Sequence, residues 1–341
     1  MRAAILVTAF AMLLGCVFAL PASEQGGDTK PICVGMIGLD TSHCEAFTKL
    51  LNNAKPSSDV AGFRVVAAFR GGSPDVKASY ERIEGFTETL RSKYGVEIVD
   101  SIDDLVKKVD VVMIESVDGR PHLQQLGPVV KAGKKVFIDK PIAGSLADVV
   151  RIFQLAAEHK VPVFSSSSLR FGPAATARKS PKVGDVLGCL TFGPCSLEPH
   201  HPDLFWYGVH GVEALYTVMG TGCRTVTRTH TKDTDVVTGV WQDGRIGTFR
   251  GLRSGKQDYG TIVFGSKGVE NVSGSGSYEP LVAEICKFFR TGNPPVSAEE
   301  TTEIFAFMEA ADESKRQDGR PVTIEAVMKQ ARAEAAKRSC K

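Results

Sequence analysis

Two side chains stand where a proton can be moved. Lys140 follows the apolar run Lys135 to Ile138 and precedes Pro141. An ammonium fixed at the carboxyl end of a strand can hold a substrate hydroxyl and assist the movement of its proton. His210 heads an apolar stretch through Val212, Leu215 and Val218, and an imidazole, titrating near neutrality, can take such a proton. The third chemical feature is the turn Gly38-Leu39-Asp40-Thr41-Ser42-His43, which joins the buried run Ile32 to Ile37 to a helical stretch. Strand, glycine turn and helix start form the opening unit of a dinucleotide-binding fold. Of the G-x-G-x-x-G fingerprint only the first glycine remains. Asp40 replaces the glycine that lets backbone approach a pyrophosphate, and His43 replaces the one that lets helix and strand pack closely. Asp40 is expected to face the phosphates with a negative charge, and to cap the helix through the amides of Ser42 and His43.

Further candidates flank these. Arg70 ends the second strand, where an acidic residue would bind the ribose hydroxyls of NAD; with Gly71-Gly72-Ser73 after it, arginine suits a 2′-phosphate and favours NADP. Glu115, Ser116 and His122 follow the fourth strand, and Arg170, after the last strand of the first half, suits a phosphate or carboxylate. In Glu198-Pro199-His200-His201-Pro202-Asp203 the spacing fits no metal site, so these residues are expected to line a substrate pocket. Trp206 and Tyr207 offer faces on which a sugar ring can stack. The 8 cysteines form no C-x-x-C pair and no zinc-finger spacing. No metal is expected; Cys189 and Cys195, flanking a strand, are close enough in sequence to bridge.

Elements that position these residues follow from periodicity. From Lys30 onward short apolar strands alternate with helices, giving an α/β doubly wound parallel sheet (Rossmann type) over residues 30–166. Beyond Ser165-Ser166-Ser167-Ser168 the texture changes. A helix is expected from Leu204 to Met219, then strands Arg224 to His230, Val236 to Trp241, Ile246 to Leu252 and Thr261 to Phe264, alternating polar and apolar. Residues 167–341 therefore read as an α+β domain with a mostly antiparallel sheet. Residues 1–22 have the charged start, apolar run and small residues of an export signal, with a lipoprotein-like cysteine at Cys16. Export without membrane insertion follows. A chain of 341 residues with 43% hydrophobic and 23% charged content is an ordinary globular protein, and a formal charge of +2 gives no reason to expect nucleic acid.

This order of pieces resembles the glucose–fructose oxidoreductase/inositol dehydrogenase (Gfo/Idh/MocA) family, from about Pro31 to about Ile324. The most specific stretch is AGKKVFIDKPIAGSLADVVRIFQLAAEHKVPVFSSSSLRFGP, Ala132 to Pro173. It looks like the family's Glu-Lys-Pro strand end with the helix and R-F-x-P turn that follow. The second is YGVHGVEALYTVMG, Tyr207 to Gly220, similar to the family's G-x-H helix start; the third runs from Tyr278 to Val322 and contains EAADES and GRPV. The resemblance implies hydride transfer between NAD or NADP and a sugar, cyclitol or related polyol, with Lys140 as the site lysine and His210 as the acid/base. Asp139 replaces the usual glutamate. Trp206 stands where the family often has an aspartate, so a carboxylate orienting His210 comes from Asp203 or Glu213 or is absent. The resemblance also implies a homodimer or homotetramer joined through the open face of the second sheet. A second reading keeps the fold and polyol pocket in an exported binding or non-redox protein that has lost or altered dinucleotide binding.

Overall fold

The computed structural model describes residues 30–338; residues 1–22, read above as an export signal, Cys16 and Cys340 lie outside them. The first sheet carries β1 (Ile32–Ile37), β2 (Phe63–Phe69), β3 (Glu97–Val99), β4 (Val111–Ile114), β5 (Lys135–Ile138) and β6 (Val163–Ser165). Between them run α1 (Ser42–Leu51), α2 (Lys77–Tyr80), α3 (Ile83–Tyr94), α4 (Ile102–Lys108), α5 (His122–Lys131) and α6 (Leu146–Glu158). All strand pairs are parallel, in the order β3-β2-β1-β4-β5-β6. The order reverses between β1 and β4, and such sheets take ligands beyond the carboxyl ends of their strands at this switch point. All of β4 is buried, as expected of a strand covered on both faces.

The second half opens with α7 (Pro173–Arg178), β7 (Val186–Pro194), α8 (Asp203–Trp206) and α9 (Val209–Met219). Then follow β8 (Cys223–His230), β9 (Thr234–Trp241), β10 (Ile246–Leu252), β11 (Gly260–Gly265) and β12 (Val269–Ser273). The chain closes with α10 (Glu279–Thr291), α11 (Ala298–Arg316), β13 (Val322–Thr323) and α12 (Ile324–Ala335). The sheet order is β12-β11-β7-β10-β9-β8-β13. It is mixed rather than wholly antiparallel, because β7 and β10 run parallel. One face is covered by α9 and α11: Tyr216 and Phe307 pack on Trp241, and Phe305 meets Phe205 of α8. Leu187, Ile246 and Phe264 remain among the exposed large apolar side chains of its strands.

Several details differ from the sequence reading. The helix expected from Leu204 to Met219 is two helices, broken at Tyr207 and Gly208. A Cβ on Gly208 would lie 2.9 Å from the Leu204 carbonyl and 3.2 Å from Cys195 Sγ, so only glycine fits the break. Strand β12, a polar edge, has too little apolar alternation to be seen in the sequence. Cys189 and Cys195 are both buried and unbridged. Finally, α10 turns back onto the first sheet. Its Leu281, Ile285 and Phe288 pack among Val34, Met36 and Phe164, with the Phe164 and Phe288 rings 4.8 Å apart.

Candidate active site

Beyond the carboxyl ends of β1 and β5 lies a cleft of about 480 Å³, bounded on its other side by α8, α9 and the segments around Tyr259 and Ser275 to Tyr278. Thr41, Ser42, His43 and Arg82 line it together with Lys140, Trp206, Tyr207, His210, Tyr259 and Tyr278. β5 delivers Lys140 to the cleft, and the Lys140–Pro141 peptide is cis. Its ammonium stands 6.0 Å from the centroid of the Tyr207 ring, a cation–π distance. His210 sits in the first turn of α9, with its ring 5.2 Å from Tyr207 and 6.0 Å from Tyr259. Its Nδ1 is 2.7 Å from Ser167 Oγ. The partner that orients the imidazole is thus a hydroxyl, and neither Asp203 nor Glu213 fills that role. Burial holds the His210 ring well below its ordinary pKa, helped by the positive charges of Lys140 and His43 and opposed by Asp139. The ring is neutral at neutral pH, as a proton acceptor must be.

The altered glycine turn is rearranged from what its sequence suggests. Gly38 adopts φ +91°, and a Cβ there would fall 2.3 Å from the backbone nitrogen of Ser116, so this glycine is required. Asp40 is fully buried and turned away from the cleft: Oδ2 accepts from Ser79 Oγ (2.6 Å) and Oδ1 from the Val117 amide (2.9 Å). The expected charge facing a pyrophosphate is therefore absent. Burial also raises the carboxyl's pKa, with the Ser79 and Val117 hydrogen bonds pulling it back. Nor is Asp40 the helix cap. Thr41 is, its Oγ1 accepting from the His43 amide at 3.4 Å. What faces the cleft at the head of α1 is Thr41 and Ser42, with the Arg82 guanidinium from the start of α3 close by. A helix N-terminus and a guanidinium suit a phosphate. The residues present fit a dinucleotide, with no acidic group of the turn facing it.

Other candidates are placed elsewhere. Arg70 is exposed and pairs with Glu84. Ser116 is buried and exchanges hydrogen bonds with Gln125. Arg170 is held by Glu213 and Glu300. Asp203 accepts from Arg228 Nη2 (2.8 Å) and Lys315 Nζ (2.7 Å), in an ion network that draws it from the cleft. His201 lies 3.1 Å from Asp118, and His200 2.7 Å from Glu198, so the pair ties loops together instead of lining the pocket. Asp139 and His43 do meet: His43 Nδ1 and Asp139 Oδ2 are 2.6 Å apart, behind Lys140. Burial pushes the Asp139 carboxyl up, but His43 and Lys140 together outweigh it and hold it below the usual range. Glu115 is also buried here, and burial with the Asp139 charge pushes its carboxyl well above the usual range, against the pull of Lys140. Ser167, Tyr259 and Tyr278 were missed in the sequence. One serine in a run of four, and tyrosines on loops, carry no spacing signal.

Residues 32–167 match the model of the oxidoreductase family with an NAD-binding Rossmann fold, GFO_IDH_MocA. The chain carries the Gfo/Idh/MocA domain. An uncharacterized oxidoreductase of Streptococcus pneumoniae serotype 4 is 27% identical, over 42% of this chain and 43% of its own length. The chain spans less than half the length of the curated relatives it matches. The architecture of both halves recurs in solved structures. The scyllo-inositol dehydrogenase of Lactobacillus casei, with bound NAD(H) and scyllo-inositol, superposes with a TM-score of 0.71 at 16% identity, covering 87% of this chain and 100% of that one. The myo-inositol 2-dehydrogenase of Lactobacillus plantarum gives 0.70 at 16% identity, covering 86% and 99%. At such identity the likeness is one of fold. Among the described residues no helix is long and apolar enough to cross a membrane.

Proposed function

We propose that the protein is an NAD(P)-dependent oxidoreductase that moves hydride between the cofactor and a carbinol carbon of a cyclitol, sugar or related polyol. The observation that carries this reading is the meeting of Lys140 and His210 in one cleft that also holds the head of α1. In the oxidation direction the substrate C–H bond breaks and its electron pair leaves as hydride, while the O–H proton must go to the protein. The bound nicotinamide supplies the hydride acceptor. Lys140 holds the reacting hydroxyl and stabilises negative charge developing on its oxygen. His210, neutral and oriented by Ser167, takes the proton. Tyr207, Tyr259, Tyr278 and Trp206 supply flat apolar faces with polar edges, which suits a polyol ring. NADP is favoured over NAD only by Arg70, whose pairing with Glu84 leaves it on the surface.

A fluorescence titration of the purified protein with NADH and NADPH tests the reading. Saturable binding is expected with at least one of them. Lys140→Ala should leave that titration largely intact and lower turnover by about 10²-fold or more. No binding at millimolar nucleotide, by protein whose circular dichroism shows an intact fold, would contradict it and favour the second reading, a polyol-binding or non-redox protein.

A further inference from the structure

Beneath Lys140 meet three side chains that the proposed reaction leaves without a task. His43 comes from the first turn of α1, Glu115 follows β4 and Asp139 follows β5. All three are buried, and donor atoms of each lie within 4.8 Å of one another. Glu115 is 0% exposed, and neither of its carboxylate oxygens has a hydrogen-bond partner; Oδ1 of Asp139 has none either. Buried polar groups are nearly always satisfied, and a buried carboxylate above all needs a positive partner. The basic side chains nearest this pair are His43, which engages Oδ2 of Asp139, and Lys140; neither hydrogen-bonds Glu115. Three buried carboxylate oxygens without a partner thus belong to one cluster of donors within 4.8 Å of one another, and the cluster lacks a positive body for Glu115.

We propose that His43, Glu115 and Asp139 bind a divalent first-row metal ion of the zinc or manganese class. One imidazole nitrogen and two carboxylates are a donor set such ions accept, and the two carboxylates balance the 2+ charge. Three protein ligands leave at least one coordination position open. His43 lines the cleft, so the ion has an entry path from the same side as a substrate. The 2.6 Å contact between His43 Nδ1 and Asp139 Oδ2 has to open on binding, because ligands on a tetrahedral ion with bonds of about 2.1 Å stand roughly 3.4 Å apart. No motif announces the site in the sequence, since His43 lies on α1 while Glu115 and Asp139 follow two different strands. The proposal does not rest on the hydride-transfer reading.

The test uses tag-free full-length protein without nucleotide or polyol, so its outcome is independent of the dehydrogenase reading. Metal content is measured by plasma mass spectrometry; the protein is then stripped with chelator and titrated calorimetrically with Zn²⁺ and with Mn²⁺. One ion per chain is expected for at least one metal, with the melting temperature rising by several degrees on reloading. Glu115→Gln, which keeps the shape but loses the charge, should weaken binding at least 100-fold, whereas Lys140→Ala should keep the ion. Should Glu115→Gln not fold, His43→Gln serves as the second ligand variant. Absence of stoichiometric metal, with no saturable binding up to millimolar Zn²⁺ or Mn²⁺, overturns the proposal and leaves the carboxylates neutralised by protons. Retention of the ion by a folded Glu115→Gln or His43→Gln protein overturns it too, by placing the metal elsewhere.

Discussion

His210 carries its function through two local facts: a buried ring kept neutral and a hydroxyl that fixes its plane. Because burial and the charges of Lys140 and His43 lower its pKa, protonation sets in only well below pH 6.5. An unprotonated base is needed for oxidation, so kcat/KM for the polyol should stay level as pH falls through 6.5 and drop only further into acid. Ser167→Ala removes the oriented contact at Nδ1 and should lower kcat by about tenfold while sparing nucleotide affinity. His210→Asn should cost 10²-fold or more, and an unchanged kcat in either variant would remove His210 from the mechanism. At this scale the sequence spoke unevenly. Lys140, His210, Trp206 and Tyr207 were legible because each belongs to a run whose neighbours identify it. Arg170 and Asp203 were not, since a charged residue beside a motif reads alike whether it meets a ligand or a buried counter-charge.

At the scale of elements, α11 is fastened to the second sheet by Arg228 of β8. The guanidinium is enclosed by Asp235, Asp312 and Asp203, with Arg253 bonded to Asp235 and Lys315 to Asp203. Asp312 lies in the middle of this contact. Burial outweighs the attraction of Arg228 and pushes its carboxyl from 3.8 to about 7. A folded-state pKa above the unfolded one means that the native state binds the extra proton between these values, so stability falls as pH rises from about 4 to about 7. The full effect of the single group is at most roughly 4 kcal/mol. Asp312→Asn should flatten this decline: chemical denaturation at pH 5 and at pH 8 should show a smaller loss of stability than in the natural protein. An identical loss in both would mean that Asp312 is ionised throughout. None of this network was legible, because its members are scattered from residue 203 to residue 315 and only folding brings them together. Most strands and helices were legible, for periodicity is local. The exceptions, the break at Gly208 and the polar edge β12, depend on a close contact and on a neighbouring strand.

Over the whole molecule the parallel sheet sets up a crevice, and the second half covers it from above. That division of labour was visible in the switch from buried apolar runs to alternating strands. The return of α10 onto the first sheet was not, because an amphipathic helix does not name the surface it will cover. The damaged glycine fingerprint shows the same limit in reverse. Read alone, Asp40 argues against a dinucleotide; in the folded chain it points to Ser79 and Val117, leaving Thr41, Ser42 and Arg82 at the cleft. The central claim is that this cleft passes hydride from a carbinol carbon to a nicotinamide. Incubating the protein with oxidised nucleotide and perdeuterated scyllo- or myo-inositol or a related polyol, then weighing the reduced nucleotide by mass spectrometry, measures that transfer directly. The account predicts one deuterium gained per nucleotide reduced, lost with Lys140→Ala. Nucleotide that binds yet gains no deuterium from a broad panel of cyclitols and sugars would contradict it.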